Sequence, residues 1–309
     1  MKILSRGVVC AGAIFGLVAL AGCSSGSTKA GSSGAGASFE ANGKSETSAA
    51  TNEVSGSPEA LDADASDGQA AMGAGASNGS VAGKLDKKYE ALGKAVRSAR
   101  ANSILAEASK ILGTNQFDPT ALNALAMYHF RKGRPGAAKL LLNRALEKNT
   151  NSAALLNNYG VVLLEEDDAQ GAVVNFKKAL HADPNHPQAL GNLGSIYVES
   201  GDYSRALPLL ESAYRQLRTS APGVATNYAI ALRASRDFAN AQRIYEEVLK
   251  VNSRDVATLL DYAILDIDYM SKPKEGLALV YKVKFIETDR KDILDRASAL
   301  EIKAKAGLK

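Results

Sequence analysis

The 309-residue sequence has no tryptophan, only two cysteines and only three histidines. Both cysteines, Cys10 and Cys23, precede residue 24. Everything after them is therefore without disulfides, thiolate metal ligands or a cysteine nucleophile. Charge of one sign is also scarce: 37 basic side chains against 33 acidic ones leave a net charge of +4, which does not suggest a nucleic-acid partner. Strongly apolar residues are nearly missing from one long stretch. Residues 24–83 hold 11 Gly, 13 Ser and 14 Ala, and their strongly apolar side chains, Met72 aside, are only Phe39, Val54, Leu61 and Val81. So few cannot offset roughly 1–2 kcal/mol of backbone entropy per ordered residue. A disordered linker is expected there, and about 226 residues, from 84 on, remain to build a core.

The one long uncharged apolar run lies at the start. Lys2 and Arg6 precede Gly7 to Gly22, which contains Val8, Val9, Ile14, Phe15, Leu17, Val18 and Leu20. The run is short for the ~30 Å hydrocarbon core of a bilayer, and the plan is that of a signal peptide, with a retained transmembrane anchor as the alternative. Leu20-Ala21-Gly22-Cys23 resembles the lipobox of bacterial lipoproteins. That resemblance implies thioether attachment of diacylglycerol at Cys23, cleavage between Gly22 and Cys23, and acylation of the new amino terminus, which together anchor firmly where one chain would not. Ser24, rather than aspartate, at the second mature position favours the outer membrane. The 24–83 segment carries a net −5, residues 84–309 a net +7. A Gly/Ser-rich coil of this length spans about 40–45 Å and would act as a tether.

Beyond residue 84 a period of 34 organises the chain. Small residues recur at Ala126, Gly160, Gly194, Ala229 and Ala263, and again at Ala138, Ala172, Ala206 and Ala241. Leu142, Phe176, Leu210 and Tyr245 keep step, as do Ala145, Ala179, Ala213 and Val248. This pattern resembles the tetratricopeptide repeat (TPR), a helix-turn-helix unit. The resemblance implies an all-α, right-handed superhelical solenoid, with small residues letting the two helices of a repeat approach and larger ones filling the layer between repeats. The repeats are expected at 119–152, 153–186, 187–220 and 222–255, with a degraded fifth over 256–290 that needs a one-residue insertion before Gly276. A divergent helical pair over 84–118 precedes them and a capping helix within 291–309 closes the array. Pro119, Pro187 and Pro222 fall at helix starts. Pro208 falls well inside a helix and is expected to kink or shorten it.

In such a solenoid the first helices line a concave groove. The resemblance places Asn158, Asn192, Asn227 and Asp261 at the sixth repeat position, facing it, with Asn123, Met127, Phe130, Arg131, Asn157, Val161, Leu164, Glu165, Ser195, Val198, Glu199, Ile230 and Arg233 beside them. A row of amides suits an extended peptide, because each offers a donor and an acceptor; equally, the amides can bond within the repeats. The fifth positions are Asn123, Asn157 and Gly191 rather than lysine, against a carboxylate clamp. His129 reads as a packing residue, His181 and His186 flank a turn without a convincing zinc pattern, and Glu165, Glu166, Asp167 and Asp168 lack the spacing of a calcium loop. No metal, cofactor or catalytic constellation is expected. The order of anchor, tether and repeats resembles lipoproteins of pilus assembly, including pilotins, and of gliding-motility machines. It implies a non-enzymatic, periplasm-facing scaffold for an envelope protein or peptide; the alternative is an accessory subunit docking a peptidoglycan enzyme.

Overall fold

The computed structural model describes residues 87–308, and the signal, lipidation and linker positions, Gly22 and Cys23 included, lie outside them. Among the described residues the regular structure is entirely helical. A first pair, α1 (Lys87–Arg97) and α2 (Ala101–Thr114), is followed by α3 (Pro119–Arg131) with α4 (Pro135–Leu146) and α5 (Ala153–Glu165) with α6 (Ala169–Ala182). Then come α7 (Pro187–Glu199) with α8 (Tyr203–Leu217), α9 (Pro222–Ala234) with α10 (Phe238–Val251), α11 (Val256–Ile264) with α12 (Pro273–Ile286), and α13 (Lys291–Ala306).

Helix starts are written into the sequence. Proline stands in the first turn of α3, α4, α7, α9 and α12, where its missing N–H has no helical partner to lose. Asp118, Asp168, Asp202, Asp237 and Asp255 accept backbone N–H bonds at the starts of α3, α6, α8, α10 and α11. The turn inside each pair is equally regular. Ala99, Gly133, Asp167, Gly201, Arg236 and Ser271 all have φ between 50° and 75°, one per hairpin. Only two of the six are glycine, so four non-glycine residues bear the left-handed geometry.

The small-residue series does what its spacing implies. A Cβ on Gly160 would lie 2.7 Å from the fully buried Phe176, and one on Gly194 2.6 Å from Leu210. Each helix of a pair thus approaches its mate at a side chain that the partner needs to be small. Odd-numbered helices from α1 to α13 also approach the next odd-numbered helix closely along the backbone, whereas consecutive even-numbered ones stand further apart, α8 and α10 meeting through the Tyr214–Glu247 hydrogen bond. The odd helices therefore form the inner, concave layer.

Two sequence expectations are changed. The insertion in the fifth repeat is absorbed as a π-helical turn, Leu265–Tyr269, continuing α11, which returns Gly276 of α12 to its place at the crossing with that helix; a Cβ there would collide with Ile267. The second helix of that repeat is complete. Pro208 does not shorten α8, which at 15 residues is the longest of the even helices. Its ring is solvent-exposed, as is Ser204, whose carbonyl loses its helical partner and can meet water instead.

Candidate functional site: the concave face

The inner layer brings the sequence-predicted residues together, but not as a row of open amides. Asn158 Nδ2 donates to Asn123 Oδ1 at 2.8 Å, and Asn192 Nδ2 donates to Asn157 Oδ1 at 3.0 Å. Asn157 Nδ2 links the two bonds by donating to Asn158 Oδ1 at 3.2 Å. Further along, Asn227 Nδ2 donates to Ser195 Oγ at 2.7 Å, while that hydroxyl donates to the Gly191 carbonyl at 2.8 Å. Thr226 and Thr258 share a hydroxyl bond of 2.7 Å, and Arg233 reaches the Asp261 carbonyl at 3.1 Å. The Asn158–Asn123, Asn192–Asn157, Asn227–Ser195, Thr226–Thr258 and Arg233–Asp261 bonds each tie one first helix to the next. Of the two open readings of the asparagines, bonding inside the protein is the one the geometry displays. Asn123, Asn157, Asn192, Ser195 and Asn227 are all buried, and among the asparagines only Asn158 is half-exposed.

Met127 and Val161, expected beside the amides, are buried as well, because neighbouring first helices close over the ninth repeat position. What remains accessible lies one helical turn further on. Phe130, Leu164 and Val198 are half-buried, spaced by 34, and followed at the equivalent place by Arg233. Ile230 is half-buried and Arg131 exposed. Toward the carboxyl end, Asp261 lies 3.8 Å from Arg233. Burial pushes its carboxyl above the usual range against the pull of Arg233 and Arg296, and the pair is a polar feature of a mostly apolar groove. Desolvation also raises the Glu199 carboxyl.

His186 and His129 sit within the packing, and His181 is exposed. His186 Nδ1 accepts from the Ala189 amide at 3.2 Å, capping α7, and burial lowers its pKa despite Asp183. His129 is half-buried with its ring edge-on to Tyr128 at 5.2 Å. In the acidic turn, Asp168 caps α6 and Glu166 pairs with Lys139 at 2.6 Å. Among the described residues no group of three or more His, Cys, Asp or Glu side chains is placed to hold a metal ion. Sequence reasoning did not find Lys88 and Tyr89, which both bond the buried Asp118, at 2.7 and 2.8 Å. Burial alone would raise that carboxyl, but Lys88, the Ala121 amide and Tyr89 hold it below the usual range.

A concave layer of stacked first helices backed by second helices is the architecture of a peptide- or protein-binding α-solenoid. Two family models described as tetratricopeptide repeat match residues 123–175 and 163–229, and the repeats in this span are tetratricopeptide repeats. The type IV pilus assembly protein PilF of Pseudomonas aeruginosa is 27% identical over 142 residues, 46% of this chain and 56% of PilF. The photosystem I assembly protein Ycf3 of a Synechococcus strain is 31% identical over 55 residues, 18% of this chain and 32% of that protein. The probable biofilm formation methyltransferase WspC of Pseudomonas putida is 34% identical over 88 residues, 28% of this chain and 21% of its own. The chain thus spans about half the length, or less, of these curated relatives. The solved structure of Pseudomonas aeruginosa PilF superposes with a TM-score of 0.56 at 19% identity, covering 67% of this chain and 93% of that one, which establishes a shared fold.

Proposed function

We propose that this chain is a lipid-anchored scaffold on the periplasmic side of an outer membrane, holding an extended segment of an envelope protein in its concave groove and assisting assembly of a pilus, secretion or motility machine. The observation that carries the binding reading is the half-buried row Phe130, Leu164 and Val198, three apolar side chains left accessible at one repeat position along the inner layer. An apolar row of this kind suits side chains of an extended peptide. Membrane attachment rests on the Leu20-Ala21-Gly22-Cys23 sequence, and the assembly role on the likeness to PilF.

Two experiments test the parts separately. A photo-cross-linking amino acid at Leu164 should capture one envelope protein in cells, and Leu164→Asp should abolish capture; equal capture from the convex residue Val174 would place binding elsewhere. Cys23→Ser should remove acyl labelling and membrane retention. A variant that is still labelled and still membrane-bound would overturn the anchor.

A further inference from the structure

The intra-pair turns stack along one edge of the solenoid, because each follows the carboxyl end of a first helix and consecutive first helices are neighbours. Lys139 in α4 reaching Glu166 in the next turn shows that closeness directly. Charge along this edge is segregated. The first turn carries Arg97 and Arg100, and the second Arg131, Lys132 and Arg134; all five are exposed, and none has an ion-pair partner among the described residues. The third turn is Glu165, Glu166, Asp167 and Asp168, and the fourth adds Glu199 and Asp202. Glu165, Asp167 and Glu199 are likewise exposed without a cationic partner. Over these four turns one half of the edge is thus cationic and the adjoining half anionic, with Glu166 paired to Lys139 and Asp202 to Arg205; the fifth turn, outside this stretch, carries the exposed Arg236.

A second row runs beside it on the even helices. Leu140 and Val174, 73% and 49% exposed, occupy one repeat position, and exposed Pro208 and Ala106 occupy the same position on either side. Isolated exposed apolar residues are ordinary, but four in register over four repeats form a stripe along the charged edge.

We infer that this edge is a self-association surface whose partner is a second copy of the chain, paired antiparallel about a two-fold axis between the second and third turns. A two-fold contact requires a surface complementary to itself, with residue i meeting j and j meeting i. An edge whose halves are opposite in charge meets that condition. The axis sets Arg131, Lys132 and Arg134 against the partner copy's Glu165–Asp168 turn, and Arg97 and Arg100 against its Glu199 and Asp202. The same operation lays Leu140 on the copy's Val174, giving an apolar strip with a charged rim. First helices packed about 8–10 Å apart make four turns an edge of roughly 30–40 Å. At ~20 Å width this reaches the ~800 Å² per partner of a standard interface. The concave groove stays open in this arrangement.

Sedimentation of the full-length chain in density-matched detergent tests it. The chain should be dimeric in low salt, with dimerisation at least about tenfold weaker as the screening length falls from ~10 Å at 0.1 M to ~3 Å at 1 M salt. Arg131→Glu, Lys132→Glu and Arg134→Glu together should give a folded monomer by circular dichroism. So should Glu165→Lys, Asp167→Lys and Glu199→Lys, and Arg236 in the equivalent turn shows that a long cation fits there. Mixing the two variants should restore a dimer containing one of each, since every reversed contact then becomes attractive again. A wild-type chain that is monomeric in low salt, a dimer indifferent to salt and to both variants, or a mixture that stays monomeric would each overturn the inference.

Discussion

Replacing Asn157 by alanine probes the claim that the inner-face amides hold the repeats together. Asn157 is 4% exposed, accepts from Asn192 at 3.0 Å and donates to Asn158 at 3.2 Å. Alanine removes both bonds and leaves the Asn192 amide, itself 7% exposed, without its acceptor. Loss of a net hydrogen bond costs about 0.5–1.5 kcal/mol and an orphaned buried donor about 1–3 kcal/mol, so Asn157→Ala should destabilise by about 2–3 kcal/mol. For a folded unit of this size that lowers Tm by roughly 4–12 °C. Asn192→Ala removes one partner of the same bond and should cost about 1–2 kcal/mol. The decisive quantity is the double mutant: once one partner is gone, the second substitution removes nothing further from that bond, leaving a coupling of about 1 kcal/mol. Repeat arrays can unfold in stages, so hydrogen exchange of the α5 and α7 amides should accompany the denaturant curve, with the loss greatest at that junction. Exposed Asn143, for which no side-chain bond is seen, is the control. Additivity within about 0.3 kcal/mol would refute the ladder.

Three other outcomes are expected. Asp167→Gly and Arg236→Gly, at φ of 61° and 67°, should each raise the denaturation midpoint by about 0.5–1 kcal/mol, because relief of left-handed strain exceeds the added entropy of glycine; a lowered midpoint would count against strain at these turns. Asp266, 2% exposed with Oδ1 unpartnered, has its carboxyl raised to about 6 chiefly by burial, with Lys272 opposing and Glu275 and Glu246 assisting. The folded state then binds more protons than the unfolded one between about pH 4 and 6, so stability falls as pH rises through that window. Asp266→Asn should flatten this slope and stabilise above pH 6 by on the order of 2 kcal/mol, read from unfolding curves at pH 5 and 8. Asp118 behaves oppositely: with its carboxyl held low, its contribution is present above about pH 4 and lost below, and Asp118→Ala should cost about 2–4 kcal/mol and loosen α1 in hydrogen exchange.

Much of the architecture is legible in the sequence because a repeat states its constraints several times over. Gly160 facing Phe176 and Gly194 facing Leu210 are one contact written twice, and the proline starts of α3, α7 and α9 fix the register independently. The insertion before Gly276 is countable, but spacing alone does not say whether a loop or a helix absorbs it, because a π turn preserves helix direction while adding one residue. The candidate site is less legible. Repeat position identifies which residues belong to the inner layer, but whether an amide stays open depends on the distance to the next helix, and here the gap is about one hydrogen bond wide. The accessible row therefore moved to Phe130, Leu164 and Val198.

The amino-terminal pair shows why a repeat can lose its signature and keep its geometry. Counting back 34 residues from Ala126, Ala138, Leu142 and Ala145 reaches Leu92, Ile104, Ala108 and Ile111. Leucine and isoleucine stand where the pattern requires small side chains, and alanine stands where it requires a large one. All four are nonetheless buried in one cluster with Ala121 and Ala124, and the turn residue Ala99 repeats the left-handed φ of Gly133, 34 positions on. Bulk has been exchanged across the helix crossing. Packing constrains the summed volume at a contact more tightly than the residue on either side, so a pattern of single positions fails where a pattern of paired volumes would succeed. The pair is then structurally the first member of the array, joined to it by Lys88 and Tyr89 on the Asp118 cap. Its turn accordingly falls in line with the others and extends the cationic half of the edge by one repeat.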